Sequence, residues 1–365
     1  MLDPLYTVKE QFRQDRWEDM SESAEKYVEI HPGSEAGFFY LGLARLNEEQ
    51  YDDMNNAFDT CLKLGNTYDD QVWRYRTKLY IELRNAAFQI LLDDDRQRFN
   101  EICKDVFIVG NSIPESFIQH KNSDFWYLNF WLGYTYAKDG LNITGIDTNA
   151  VRYLPVINLD DQYNLSQTTK DEWSTSLEYL DLALSYRPNH ITSLKLKAFL
   201  NFHMQDYSDC IVVCQVILLL RNYHQDRDAL LLKAMSSDLQ GNQLEAIQTY
   251  SEYLDYYPND GFAAQNLARI YLINREFELA INFLTVALKR DYNDLLIRYN
   301  LGECYYHLTN FHKAIKEFEF VRKNDHRFLS TLEYLAAAYY NLGMFADEKS
   351  VLKIIDEANS SIINE

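Results

Sequence analysis

Short-range groupings of His, Cys, Asp and Glu are where a chain of this length would carry chemistry, and this one offers few. His307 and His312 stand five apart on either side of a polar turn, a poor spacing for two ligands on one helical face, so structural roles are expected. Cys210 and Cys214 stand four apart and share a helical face, but that face is apolar, so buried thiols are expected rather than a metal site. The sequence has no HExxH, no GxSxG, no phosphate-binding glycine loop and no dinucleotide fingerprint. No catalytic residue, no metal ligand and no cofactor is therefore expected, and the chain reads as non-enzymatic. The five cysteines, with Cys61, Cys103 and Cys304 completing the set, are odd in number and lack CxxC spacing. That usage fits free thiols in a reducing compartment, and the cytoplasm is the expected location.

The elements that would hold any site must be read next. With 35 Lys+Arg against 55 Asp+Glu, the net charge is −20, which argues against a nucleic-acid binder, because phosphate contacts need a basic face. At 47% hydrophobic and 15% aromatic residues the chain can bury a large core. The longest apolar stretch, Ile211 to Leu220, is too short to span a bilayer. The opening MLDPLYTVKEQ has neither a basic start nor an apolar stretch, so no secretory leader is expected.

Proline marks a period. Pro32, Pro188 and Pro258 each follow by four residues an apolar position that ends a helical pattern. With unit starts at 261, 295 and 329, position 7 is Leu267, Leu301 and Leu335, and position 8 is Ala268, Gly302 and Ala336. Position 11 is Tyr271, Tyr305 and Tyr339; position 17 is Phe277, Phe311 and Phe345. Position 20 is Ala280 and Ala314, and only Glu348 breaks the small-residue rule. Each unit holds two amphipathic stretches separated near position 15 by a polar turn such as Gly241 or Gly343. Small residues at positions 8 and 20 let the two helices approach, aromatics fill the groove shared with the next unit, and stacking is obligatory because one unit cannot bury its own apolar face.

On these residues the chain resembles the tetratricopeptide-repeat family. The resemblance implies an all-α, right-handed α-solenoid of eight to nine stacked helix-turn-helix units. Residues 1–68 read as N-terminal repeats, with Trp17, Ala24 and Pro32 in the first and Leu41, Gly42, Tyr51 and Phe58 in the second. Residues 69–125 read as a divergent repeat with lengthened helices and a connector around Pro114. Residues 126–190 read as a repeat interrupted by an insert at about 139–170: a first helix from Trp126 to Lys138, its partner from about Asp171. Residues 191–365 read as regular C-terminal repeats. The insert reads equally as a functional loop and as a neutral surface excursion.

The resemblance also implies a concave groove lined by positions 2, 5, 6, 9, 12 and 13 of each first helix, where members of the family hold an extended peptide or a partner helix. Candidates there are Phe130, Trp131 and Tyr134 beside the insert, and Asn266, Arg269, Tyr299, Asn300, Glu303, Glu333 and Tyr334 toward the C-terminus. The three mid-chain aromatics read equally as a binding pocket and as packing beneath the insert. The Lys-and-Asn constellation that grips a chaperone's C-terminal carboxylate is missing. The expected function is a protein-protein interaction adaptor holding a partner peptide or helix; the acidic surplus reads either as a solvated surface or, through Glu303 and Glu333 among others, as selecting a basic partner segment. The alternatives are a receptor for a small peptide or metabolite near the aromatic cluster, and a scaffold that self-assembles into a homo-oligomer.

Overall fold

The computed structural model describes residues 4–92, 95–118, 120–138, 166–290, 293–324 and 329–363. Among them regular structure is helical: eighteen α-helices and one 3-10 turn, divided into two compact units, residues 1–196 and 197–365. The first unit runs α1 (Pro4–Arg13), α2 (Trp17–Ile30), α3 (Glu35–Asn47), α4 (Tyr51–Leu64), α5 (Asp69–Leu92), α6 (Arg96–Asn111), the 3-10 turn Glu115–Phe117, α7 (Lys121–Lys138) and α8 (Gln167–Tyr186). Helix α9 (Ile191–His203) spans the division. The second unit continues with α10 (Tyr207–Leu219), α11 (Arg227–Leu239), α12 (Gln243–Tyr256), α13 (Gly261–Ile273), α14 (Phe277–Arg290), α15 (Leu295–His307), α16 (Phe311–Asn324), α17 (Leu329–Asn341) and α18 (Phe345–Ile363). Within each unit successive helices pack as antiparallel pairs and each pair stacks on the next, the all-α solenoid architecture expected from the period.

The same local chemistry builds each pair. The turn between partners needs one residue in the left-handed region, and Asp15, Glu49, Gln205, Gly241, Arg275, Thr309 and Gly343 supply it at φ between 54° and 80°. Only Gly241 and Gly343 do so without a Cβ penalty. First helices start on carboxylate or hydroxyl caps: Ser34, Asp226, Asp260 and Asp294 accept from the amide three residues on. Close approach is enforced at position 8. A Cβ on Gly42 would lie 2.4 Å from the Phe58 ring, one on Gly302 2.5 Å from Phe318, and one on Gly133 2.9 Å from Leu180.

The divergent pair α5–α6 is held differently. Arg76, fully buried on α5, donates to the carbonyl of Asn55 at 2.8 Å, to Asp59 at 2.7 Å and to the carbonyl of Ser112 at 3.3 Å, joining α4, α5 and the end of α6. Nearby, Tyr80 donates to Asp124 at 3.0 Å, and Arg84 reaches the same carboxylate at 3.2 Å. Trp73 stacks on Phe117 of the 3-10 turn that follows Pro114, ring centroids 5.2 Å apart.

Two boundaries move. Helix α7 starts at Lys121 rather than Trp126, and α8 starts at Gln167 rather than Asp171, where Ser166 caps it by accepting from Thr169 at 3.1 Å. Most of the expected insert, residues 139–165, lies outside the described residues.

Candidate functional site

In the second unit, the first helices α13, α15 and α17 carry seven of the ten expected partner-contacting residues. Four of them converge. Tyr334 on α17 donates to Glu303 of α15 at 3.3 Å, its ring stands edge-on to Tyr299 at 6.1 Å, and Glu333 beside it is exposed. The same spot gathers residues not singled out from the sequence for binding. Tyr306 meets Tyr334 edge-on at 5.2 Å, while His307 stacks on Phe277 at 4.6 Å and lies 3.9 Å from Glu303. Tyr306 and His307 occupy positions 12 and 13 of their unit, so the groove-position rule contained the signal.

The electrostatics of this patch are one-sided. Burial, then Glu303, Tyr334 and Glu333, push the Tyr299 hydroxyl up to about 12. Burial and Glu303 also raise the Tyr334 hydroxyl, with Tyr306 and Glu333 adding to the effect. Phenols surrounded by unneutralised carboxylates resist ionisation and attract cations, and their ring faces add a further electrostatic attraction.

The other three second-unit candidates lie outside that convergence. Arg269 pairs with Asp238 of α11, which draws its guanidinium to the neighbouring pair of helices. Asn266 is only 8% exposed and its amide nitrogen has no hydrogen-bond partner. Asn300 is half-buried on α15, next to Tyr299. In the first unit, Phe130, Trp131 and Tyr134 are buried: Trp131 is 3% exposed and packs edge-on against Tyr134 at 5.3 Å and Phe130 at 5.2 Å. Phe130 also carries the edge of His190 at 5.1 Å. The trio is a packed cluster rather than an open pocket.

His190 belongs to that packing, with its Nδ1 2.8 Å from the Ser193 hydroxyl. Burial, with Arg187 adding to it, drives its pKa down to about 4, so the ring is neutral near pH 7. The five cysteines are buried and free, and burial raises Cys61 to about 12 and Cys103 further still. Such thiols are poor nucleophiles. The Sγ atoms of Cys210 and Cys214 lie 4.0 Å apart, and among the described residues no group of three or more His, Cys, Asp or Glu side chains is placed to hold a metal ion. No helix among the described residues is long and apolar enough to cross a membrane.

Stacked helix pairs presenting a row of first-helix side chains define a protein-interaction scaffold. Residues 228–260, spanning α11 and α12, match the family described as tetratricopeptide repeat. Repeats of this kind are typically non-catalytic. Similar solved structures include the crystal structure of MamA protein, at 17% identity and TM-score 0.43, covering 48% of this chain and 94% of that one. Another is MamA 41-end from Desulfovibrio magneticus RS-1, at 13% identity and TM-score 0.41, covering 47% of this chain and 96% of that one. No curated protein matches the sequence.

Proposed function

We propose that the chain is a non-enzymatic adaptor that holds a basic segment of a partner protein against the α15–α17 face. The observation that carries this reading is the gathering of Tyr299 and Tyr334 around Glu303, with Tyr306 against Tyr334, exposed Glu333 alongside, and no Lys or Arg among the groups that raise the Tyr299 and Tyr334 hydroxyls. A Lys or Arg side chain entering there would lay its aliphatic stem on the rings and bring its charge to the carboxylates. Half-buried Asn300, on the same helix, offers an amide that can donate to and accept from a bound backbone. The adaptor would act in the cytoplasm, where its free thiols persist.

The test is the Glu303→Gln/Tyr334→Ala double variant, assayed against Lys/Arg-rich peptides by fluorescence anisotropy at low and high salt. Saturable binding that weakens with salt and falls at least roughly tenfold in the folded variant is expected. Binding that ignores both salt and the variant would contradict the reading. A thermal shift with small metabolites alone would favour a receptor, and a concentration-dependent mass would favour a self-assembling scaffold.

A further inference from the structure

Helix α10 is apolar on both of its sides. Cys210, Ile211, Val213, Cys214 and Ile217 are buried, as the packing of a second helix requires. The opposite side of such a helix should be polar, and here it is not: Val212 is 57% exposed, Val216 37% and Leu219 86%. Other second helices of the same unit follow the rule. The exposed side of α12 is Gln248, Glu252 and Asp255 after a single leucine, and that of α16 is Lys313, Lys316 and Lys323. A helix apolar all round belongs in an interior, and a continuous exposed aliphatic stripe marks a contact surface.

Three features select a second copy of the chain as the occupant. The first is charge density. Two molecules of net charge −20 repel, so they can meet only where charge is sparse, and Asp209 is the one charged residue between Tyr207 and Leu220. The second is self-complementarity. Val212, Val216 and Leu219 fall at i, i+4 and i+7, the spacing of a helix-pairing seam. A two-fold axis crossing the helix between Gln215 and Val216 sets Val212 of each copy against Leu219 of the other, the smaller side chain facing the larger. The third is charge complementarity. That antiparallel arrangement brings exposed Asp209, at the start of α10, to exposed Arg221, just past its end, whereas a parallel one would oppose like charges. A lipid surface fits poorly, because an interfacial helix is flanked by cations and this one begins on a carboxylate.

We infer that the α10 stripe is a homodimer interface in which two copies pair antiparallel across a two-fold axis, with Val212 on Leu219 and Asp209 near Arg221 at both ends. One helix face laid on its copy buries roughly 1,000 Å² in total, the low end for a specific interface, so the dimer exchanges with monomer. A two-fold contact closes at two copies, unlike an open-ended scaffold, and it uses a different face from α15–α17.

The test is sedimentation equilibrium of the full chain over a wide concentration series. The wild-type mass should rise with concentration and level off at two copies, while Val216→Glu, at a partly exposed position, should stay monomeric with an unchanged circular dichroism spectrum. Asp209→Arg should weaken the dimer at least roughly tenfold, and Asp209→Arg/Arg221→Asp should restore it. Crosslinking reads the register without relying on either charge. A mixture of Val212→Cys and Leu219→Cys chains should form an intermolecular disulfide on mild oxidation, and Val212→Cys alone should not, since its two copies lie about 10 Å apart along the seam. A monomer at every concentration would overturn the proposal, as would a mass that keeps rising past two copies. A dimer indifferent to Val216→Glu, or lost in Glu303→Gln/Tyr334→Ala instead, would place the contact elsewhere and refute it. Monomeric wild type that binds neutral phosphatidylcholine vesicles through Val216 would give the stripe to lipid and refute it too.

Discussion

The divergent α5–α6 pair and the regular pairs of the second unit solve the same packing problem with different emphasis. From α11 to α18 the helices meet because a small residue faces an aromatic: Gly302 against Phe318, with Ala280 and Ala314 buried at the equivalent position of the second helix. Around α5 one such contact remains, a Cβ on Gly110 of α6 falling 2.8 Å from the Tyr80 ring, and a fully buried guanidinium is added to it, Arg76 bridging two backbone carbonyls and Asp59. Burial lowers the Arg76 pKa and Asp59 pushes it back, so the charge is retained because its partners are in place. Shape sets contacts in both regions, and around α5 a buried guanidinium bridging three partners is added to it.

Mutations should separate the two mechanisms. The largest loss is expected from Arg76→Ala, which strands the carbonyls of Asn55 and Ser112 and the Asp59 carboxylate. Denaturant unfolding should show a cost of about 3–5 kcal/mol, and a loss below about 1 kcal/mol would mean that polar satisfaction does not hold this region. Next is Gly302→Leu, whose side chain must displace the Phe318 ring. It should cost about 1–3 kcal/mol or more by overpacking, and a neutral result would break the comparison from the other side.

Asp260→Ala should come third, at about 1–2 kcal/mol in thermal or denaturant unfolding. This carboxylate caps α13 through the amides of Phe262 and Ala263, both at 3.1 Å, and accepts from Tyr253 and Arg227 at 2.8 Å. Burial works to raise its pKa, but the Ala263 amide, Tyr253 and Arg227 outweigh burial and hold it below the usual carboxylate value of 3.8. Its contribution is present above that value and is lost as pH falls through the lower folded value.

The smallest effect at neutral pH comes from one buried histidine in each unit. His190 and His203 are both lowered from 6.5 to about 4, by burial in each case. Their unfolded forms bind protons first, so stability should be unaffected above about pH 6.5 and should decline from there to about pH 4. His190→Phe should flatten the decline in the first unit's unfolding and His203→Leu in the second's. An unchanged pH profile in both variants would place the acid sensitivity in carboxylates.

The sequence carried the fold wherever side-chain size sets the distance between helices. Leu301 and Gly302 fixed the register, and the glycine-to-aromatic contacts sit where a 34-residue period requires. Around α5 the sequence disclosed lengthened helices but not their cause, because an arginine inside a helical pattern looks the same whether it is solvated or buried. The site was legible in part for the same reason. Tyr299, Glu303, Glu333 and Tyr334 converge because their register repeats, and Tyr306 and His307 follow from the same rule. Phe130, Trp131 and Tyr134 obeyed the register as well, yet burial depends on what packs against them, here including His190, and the positions alone do not give it.

The most direct measurement is site-specific photocrosslinking. A photoreactive residue at Glu333, on the exposed side of the acidic-aromatic patch, would capture bound proteins from native lysate at low and high salt, and mass spectrometry would identify the crosslinked peptides. The account predicts a recurrent Lys/Arg-rich segment of one partner, diminished at high salt and absent when Tyr334→Ala/Glu303→Gln is combined with the same probe. Crosslinks to acidic or scattered peptides, or a yield that ignores both salt and the variant, would contradict it.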